Sequence, residues 1–241
     1  MSTQDPALDN LKSILQRMDK ACVQAQRSPQ DVQLVLVSKT VPAERLETVL
    51  RHVAAQGIVE QPIFGENKAQ ELRAKAAYFE SKSLQPRWHF IGALQSNKIK
   101  DMLPHTVLLH SLDRLSLAQK LHKKLQQQQR KLPVLIQVNA AREDSKSGVL
   151  PEHALEFVKQ VDALDTLELQ GFMTIGAHTP DVTRIRDSFK CLADLRAQAR
   201  ALDLKNTELP HLSMGMSGDF EIAIEEGATL IRVGSAIFGK R

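Results

Sequence analysis

Eight short apolar segments alternate with longer amphipathic segments along almost the whole chain, and this alternation constrains the fold more than any other sequence feature. Near-continuous apolar runs such as LVLV at residues 34–37 and VLIQV at residues 134–138 are typical of parallel strands that are covered on both faces. The eight predicted strands span residues 32–39, 62–66, 87–92, 107–112, 133–139, 167–175, 211–216 and 229–234.

The longer segments are predicted to be helices that cover these strands. Their apolar residues recur at helical spacing, as at Leu46, Val49, Leu50 and Val53, so one face of each helix is apolar. Helix start signals precede or open four of these segments, at Pro42, Asp113, Pro151 and Thr183. A further amphipathic helix is predicted ahead of the first strand, over about residues 6–27.

Eight β/α units with no shift in composition predict an α/β fold, a single (β/α)8 (TIM-type) barrel, with an open doubly wound sheet as the alternative. A chain of 241 residues with 42% hydrophobic content is large enough for one such core. We therefore expect one domain over residues 1–241, with the leading helix within residues 1–30 and the barrel in residues 31–241.

Composition and charge exclude several classes of protein. No apolar stretch approaches the roughly 20 residues that span a bilayer, and the N-terminus lacks the layout of a signal peptide, so we expect a cytoplasmic protein without membrane contact. The net charge is +4, but basic residues are mixed with acidic ones and not interleaved with aromatic ones, which argues against nucleic-acid binding. Cys22 and Cys191 lie in helical patterns without a C-x-x-C motif, and no histidine pair has metal-ligand spacing.

The first candidate functional residue is Lys39, at the end of the first predicted strand. In a (β/α)8 barrel, functional groups lie at the C-terminal ends of strands. Burial there would lower the pKa of the lysine and leave more free amine to attack an aldehyde and form a Schiff base. The alternative is a lysine whose ammonium group reaches solvent at the barrel rim.

The second candidate feature is a pair of small-residue loops after the last two predicted strands. Ser217 and Gly218 follow the seventh strand, and Gly234 and Ser235 follow the eighth. Loops at these two positions commonly build the phosphate site of such barrels, with backbone N–H groups as donors. Taken alone, each of these pairs is weak evidence, because pairs of serine and glycine more often only form a turn.

Barrel closure would place the first strand beside the eighth, and Lys39 beside both loops. An amine next to a phosphate-binding loop is the arrangement that pyridoxal 5'-phosphate requires. Arg232, on the eighth strand, is a candidate partner for the pyridine nitrogen of that cofactor. A permanent positive charge there would keep this nitrogen unprotonated. The alternative for Arg232 is an ordinary ion pair with an acidic residue at a strand end.

Six long segments carry a resemblance to a known family: LVLVSKT, FGENKAQEL, WHFIGALQSNK, LIQVNAAREDSKSGV, GFMTIGAH and LSMGMSGDFEIAIEEGATLIRVGSAIFG, between residues 34 and 239. In these segments the chain closely resembles the pyridoxal phosphate homeostasis proteins, the YggS/PROSC family. The resemblance implies a barrel like the N-terminal domain of alanine racemase, a Schiff base at Lys39 and phosphate contacts from the loops at 217–218 and 234–235. It also implies a role in cofactor supply and amino-acid balance.

Three further residues in the matching motifs are assigned as cofactor neighbours: Asn67, His89 and Met216. His89 is equally consistent with a hydrogen-bonded core residue, and Met216 alternates with small residues in the manner of core methionines. Two positions depart from the family pattern, since Lys68 stands where tyrosine is frequent and Gly176 where proline is frequent.

Three functions follow from this assignment. The leading hypothesis is a non-catalytic carrier or regulator that binds pyridoxal phosphate, passes it to apo-enzymes that require it, and is a monomer. The alternative is a pyridoxal-phosphate-dependent amino-acid racemase, which needs a second acid/base group opposite the lysine. The one tyrosine, Tyr78, lies in a helical segment away from any strand end, which favours the carrier. A regulator that uses the cofactor as a signal is not separable from the carrier by sequence.

Overall fold

Eight parallel strands form a closed barrel in the computed structural model, which describes residues 5–57, 61–143, 145–205 and 208–239. Each strand pairs with the next along the chain, and the last pairs with the first. The predicted closed barrel is therefore confirmed. The strands are β1 (Gln33–Val37), β2 (Ile63–Glu66), β3 (Arg87–Phe90), β4 (Thr106–Leu112), β5 (Leu132–Gln137), β6 (Leu167–Met173), β7 (His211–Ser213) and β8 (Leu230–Val233).

Helices cover the outer face of the barrel and bury their apolar stripes against it. The leading helix lies where the sequence predicts it and packs against the two short helices nearest the C-terminus. The helices are α1 (Pro6–Gln24), α2 (Ala43–Ala55), α3 (Ala69–Ser81), α4 (Ile99–Met102), α5 (Leu115–Gln127), α6 (Pro151–Asp162), α7 (Val182–Arg200), α8 (Phe220–Glu225) and α9 (Ser235–Phe238), with 3-10 turns at Pro29–Asp31 and Ser96–Lys98. Within the described ranges, no helix is long and apolar enough to cross a bilayer.

Two predicted helix starts are displaced by side-chain chemistry. Helix α7 begins at Val182 because the carboxylate of Asp181 accepts the N–H groups of Thr183 and Arg184, so Thr183 lies inside the helix. Helix α5 begins after Asp113, whose carboxylate binds the Arg114 guanidinium and does not cap the helix. Residues that can cap a helix are therefore recognisable in the sequence. Whether such a carboxylate binds the helix N–H groups or a nearby side chain depends on which of these donors lies closer in the fold.

The barrel interior is divided into an apolar lower part and a polar upper part. The apolar part is formed by side chains from six strands, all buried: Val35, Ile63, Leu108, Leu135, Met173 and Leu230. Two residues further along β4 and β8, the inward positions carry the polar residues His110 and Arg232, and Ser213 ends β7; all three are buried. The apolar layer fills the interior at this level, and the polar part of the interior lies toward the C-terminal end.

Closure between β1 and β8 depends on a glycine. Leu36 pairs with Val233, and the chain continues to Gly234 directly beside the end of β1. A Cβ at Gly234 would lie 3.0 Å from both the Cβ and the carbonyl oxygen of Val37, which is tighter than nine in ten real Cβ contacts. The absence of a side chain therefore allows the backbone that carries Ser235 to run against the backbone that leads to Lys39.

Candidate functional site

Lys39 lies in the turn between β1 and α2, at the C-terminal mouth of the barrel, and its side chain is exposed. The turn is closed by a hydrogen bond of 3.0 Å from the Val41 N–H to the Ser38 carbonyl, with Thr40 in the left-handed region at φ +63°. The expectation that burial activates this lysine is therefore wrong. The rim position that stood as the alternative is the one observed, and it leaves the amine open to an incoming aldehyde.

A buried polar network holds the Lys39 turn from below. The Nζ of Lys75, on α3, donates to the Ser38 carbonyl at 2.7 Å and to Oε1 of Glu66 and of Glu71 at 2.6 and 2.7 Å. Ser38 Oγ donates to the same oxygen of Glu66 at 2.6 Å, and the Thr40 N–H donates to Glu71. Both residues that flank Lys39 are thereby fixed to the scaffold.

The carboxylate at the centre of this network is costly to bury. Glu66 is fully buried at the end of β2, and desolvation raises its pKa above the ordinary value, while the Lys75 ammonium opposes that rise. Its second oxygen, Oε2, has no hydrogen-bond partner among the described residues. Charged pairs of this kind hold when both members are present and are strongly destabilising when one is removed.

The loops after β7 and β8 meet at the same mouth. Ser235 Oγ donates to Ser217 Oγ at 3.2 Å, and the Ala236 N–H donates to that same oxygen at 3.4 Å. No described residue accepts a hydrogen bond from the N–H of Ser217 or of Gly218. A Cβ at Gly218 would meet open space. Two hydroxyls and N–H groups without a described acceptor thus lie together beside the open side of Gly218, and such groups are donors that suit an anion.

Asp219 gives the first of these loops its shape. Its Oδ1 accepts the Met216 N–H at 2.6 Å, and its own N–H donates to the Met216 carbonyl at 3.2 Å. Burial raises the pKa of this carboxyl. Met216 itself is 36% exposed at the rim, whereas Met214 is fully buried. The interpretation of Met216 as a core methionine is therefore wrong, although its neighbour on the strand side, Met214, does lie in the core.

Arg232 lies beneath the two loops and begins a hydrogen-bonded chain across the barrel. Its Nη2 donates to the Thr174 carbonyl at 2.8 Å and its Nη1 to Ser213 Oγ at 2.6 Å. Ser213 Oγ shares a hydrogen bond of 2.9 Å with His110 Nδ1, and His110 Nε2 shares one of 2.9 Å with His89 Nδ1. Each of these five residues comes from the end or interior of a different strand, so the chain ties the mouth together.

Among the hydrogen-bonded residues from Arg232 to His89, only Arg232 is charged. Burial lowers the pKa of Arg232 to about 10, so its guanidinium stays charged at neutral pH. Burial also lowers the pKa of His89 to about 3 and that of His110 well below its usual range, so both rings are neutral. No ion pair joins Arg232 to a carboxylate in the described part of the chain.

Neutral rings allow the hydrogens to be assigned from the bonding pattern. Ser213 Oγ accepts from Arg232 and can then donate its own hydrogen to His110 Nδ1. His110 would in turn donate from Nε2 to His89, whose own Nε2 is buried without a partner among described residues. His89 is therefore a core residue, as one interpretation held, and it is also linked to the candidate site through His110.

Asn67 follows β2 at the same mouth. Its backbone packs on Gly92, where a Cβ would lie 2.3 Å from the Asn67 carbonyl oxygen. The side-chain Oδ1 of Asn67 is buried and accepts no hydrogen bond from the described residues.

The two departures from the family pattern lie in loops near this end of the barrel. Gly176, after β6, has φ +74°, which a proline cannot adopt because its ring fixes φ near −65°. Lys68 is exposed at the start of α3. The loop after β6 therefore follows a course that the frequent proline would not permit.

Sequence reasoning missed most of the residues that support the site. Lys75 was hidden in a helical pattern, and His110, Ser213 and Thr174 were assigned only to strands. A period of two along β3 and β4 would have indicated that His89 and His110 both point inward. No sequence signal indicated which residues Lys75 binds, because α3 meets the Lys39 turn only in the folded barrel.

Two other kinds of chemistry find no support at this mouth. No group of three or more potential metal-ligating side chains occurs in the ranges that the structure describes. Tyr78 lies on α3, where its hydroxyl donates to Glu47 Oε2 at 2.7 Å, and that hydrogen bond raises the pKa of Tyr78 to about 12. The phenol is thus held between two outer helices and is not available to the mouth of the barrel.

Comparisons with known proteins agree with this architecture. Residues 8–241 match the family described as the alanine racemase N-terminal domain. The pyridoxal phosphate homeostasis protein of Aquifex aeolicus is 40% identical over 98% of both chains. That of Helicobacter pylori strain 26695 is 44% identical over 86% of this chain and 87% of the relative.

Solved structures show the same barrel. An unknown protein from Bifidobacterium adolescentis superposes with a TM-score of 0.89 at 36% identity, covering 97% of this chain and 94% of the other. PipY of Synechococcus elongatus, solved with PLP bound, gives 0.73 at 32% identity, covering 94% and 100%. Alanine racemase from Corynebacterium glutamicum gives 0.68 at 17% identity, covering 96% and 62%, which shows the fold alone.

Replacing Lys75 with methionine tests the network below Lys39. The variant leaves Glu66 buried without its cation, so the pKa of Glu66 rises further and the native state loses about 3–5 kcal/mol at neutral pH. Because a raised folded-state pKa favours the protonated native form, the loss should be small below about pH 4.5, the ordinary value for Glu66, and grow as pH rises.

Urea unfolding at about pH 5 and about pH 8 measures this difference. Lys75→Met combined with Glu66→Gln is the matched control, because it removes the buried charge and should flatten the pH dependence. An equal loss of stability at both pH values in Lys75→Met would show that Glu66 is not the titrating group.

Proposed function

Because the chain belongs to the family of pyridoxal phosphate homeostasis proteins, we propose that it binds pyridoxal 5'-phosphate reversibly at the C-terminal mouth of its barrel. In this proposal it acts in intracellular homeostasis of that cofactor, as a carrier or regulator. One observation carries the proposal: barrel closure brings the Lys39 turn beside two loops whose hydroxyl and N–H donors are open to an anion.

The residues at the mouth fit this cofactor. When bound, pyridoxal phosphate supplies an aldehyde, and condensation with an amine gives a Schiff base and one molecule of water. We assign the amine to Lys39, which is exposed at the rim and reaches the mouth from a turn held by buried hydrogen bonds. An exposed amine suits reversible loading, since cofactor can enter and leave without any rearrangement of the barrel.

We assign the phosphate to the loops after β7 and β8. Ser217 and Ser235 supply hydroxyl groups, and Gly218 supplies an unhindered backbone N–H. Gly234 lets this loop approach the end of β1. Asn67, His89 and Met216 complete the proposed surroundings, with His89 acting through the buried chain and not by direct contact.

We assign the pyridine nitrogen to Arg232. A charged guanidinium cannot accept a hydrogen bond and disfavours a second positive charge beside it. The nitrogen would therefore stay unprotonated, which weakens the cofactor as an electron sink. A site with a weak sink holds the cofactor but gives little assistance to carbanion chemistry, as a carrier requires.

Racemisation is the alternative, and the structure gives it little support. A two-base racemase needs an acid/base group opposite the lysine. Tyr78 is the one tyrosine of the chain, and its hydroxyl is bound to Glu47 between α2 and α3. We therefore propose binding without turnover, by a cytoplasmic monomer that passes the cofactor to apo-enzymes.

Lys39→Ala should abolish covalent loading while the fold is retained, because the residue is exposed. After incubation with pyridoxal phosphate and reduction with borohydride, mass spectrometry should find the adduct on the Lys39 peptide of the wild type and no adduct in the variant. Lys68→Ala, which removes another exposed lysine near the same mouth, is the control and should load normally. An adduct at the same level in Lys39→Ala would refute the assignment.

Ser217→Ala combined with Ser235→Ala should weaken binding of pyridoxal phosphate specifically. Each lost hydrogen bond to a charged group costs about 1.5–3 kcal/mol, so the double variant should lose at least about tenfold in affinity. Pyridoxal, which lacks the phosphate, serves as the internal control, and its affinity should be unchanged. Equal losses for both compounds would place the phosphate elsewhere.

Turnover is tested by incubating the loaded protein with single L-amino acids and following the D-enantiomer by chiral chromatography. The expected rate does not exceed that of free pyridoxal phosphate at the same concentration. A clearly faster rate would establish a racemase and overturn the carrier.

A further inference from the structure

A second cleft lies at the opposite, N-terminal end of the barrel, where β1, β7 and β8 begin. Its volume is about 420 Å³. The residues that define its chemistry are Arg27, Asp31, Arg196, His211, Gly227 and Thr229. None of them takes part in the site described above, which lies at the other ends of the same strands.

Arg196, on α7, is the central charged group of this cleft. It is half-buried, and no hydrogen bond or ion pair joins it to any described residue. Burial, together with the neighbouring charges of Arg200 and Arg27, lowers the pKa of Arg196 to about 10, so it remains charged at neutral pH. A guanidinium that is partly removed from water and has no carboxylate partner keeps its donors available to an anion that enters the cleft.

The acidic groups nearby do not provide that compensation. Glu225 and Glu226, at the end of α8, are both bound by Arg186. Asp31 lines the cleft, but it is exposed, and its Oδ2 accepts the Ser28 N–H at 3.3 Å. No ion pair between Asp31 and an arginine occurs in the ranges described. The cleft therefore keeps a positive balance.

The remaining polar groups of the cleft have hydrogen-bonding atoms that a ligand could use. Arg27 donates through Nη1 to the Ile224 carbonyl at 2.7 Å, which fixes its guanidinium at the wall and leaves its other donors unused by the described residues. His211 is half-buried, and burial together with Arg87 and Arg196 lowers its pKa, so the ring is neutral and able to donate or accept. Thr229 Oγ1 lies 3.5 Å from His211 Nδ1.

We propose that this cleft binds a small phosphorylated metabolite, with its phosphate held by the guanidinium groups of Arg196 and Arg27. Two planar guanidinium groups suit the oxygens of a phosphate, and each can bind in a bidentate manner. His211, Thr229 and the exposed Asp31 then face the uncharged part of the ligand. This site is separate from the cofactor site and does not depend on Lys39.

Titration with inorganic pyrophosphate, followed by amide NMR of the ¹⁵N-labelled full-length protein, tests the proposal. The wild type should show saturable shifts at Gly227 and Thr229. Arg196→Gln should weaken these shifts at least about tenfold in apparent affinity. Arg51→Gln, which removes an arginine from the exposed face of α2, is the matched control and should titrate like the wild type.

The residues whose NMR signals shift show at which end of the barrel pyrophosphate binds. Pyrophosphate bound at the mouth would shift Gly218 and Ser235, and those shifts should survive in Arg196→Gln. Absence of saturable shifts at Gly227 and Thr229 would overturn the proposal. It would also be overturned if the apparent affinity for pyrophosphate, measured from the signals of those two residues, were the same in Arg196→Gln as in the wild type. Arg196→Lys should retain part of the affinity, because it keeps the charge and loses only the planar donor pair.

Discussion

Pairing of the first strand with the last is the constraint on which the rest of this structure depends. It joins Leu36 to Val233 and presses Gly234 against Val37. The Lys39 turn and the Ser235 loop, 196 residues apart along the chain by their numbers, thereby become neighbours at one mouth. A side chain at Gly234 would crowd Val37 and require the two segments to shift by a few tenths of an ångström.

Two buried hydrogen-bonded networks then hold the mouth in place, and they differ in the number of charges that they bury. The chain from Arg232 through Ser213 and His110 to His89 keeps its rings neutral, so it buries a single charge. The network of Lys75 and Glu66 buries a pair, and its energy depends on both members being present. Together these two networks hold the residues around the mouth in place, while the side chain of Lys39 stays outside the barrel interior. This arrangement combines a hydrogen-bonded scaffold with an exposed amine at Lys39.

Much of the fold was predictable, and part of the site was not. Eight apolar runs and their helical connectors predicted the closed barrel, because parallel strands buried on both faces have few other ways to be covered. The positions of Lys39 and of the two small-residue loops at strand ends followed from the same pattern. The exposure of Lys39 did not follow, since apolar residues before a lysine say nothing about the direction of the turn after it. The contact of Arg232 with Ser213 did not follow either, since nothing in the sequence indicated which residues the guanidinium would bind.

The sequence by itself determined the number of strands and their approximate positions, because hydrophobic periodicity is a local property that each segment carries alone. It did not determine their ends: the predicted strand at 211–216 stops at Ser213, and the one at 32–39 stops at Val37. It also determined which residue types stand at strand ends. Only the tertiary structure decided which of those residues meet, which are charged, and which oxygens and nitrogens remain without partners. The physical reason is that hydrogen bonds and desolvation depend on groups far apart in the chain: Lys75 binds Ser38, Arg232 binds Thr174, and Arg196 faces a cleft built from three other segments.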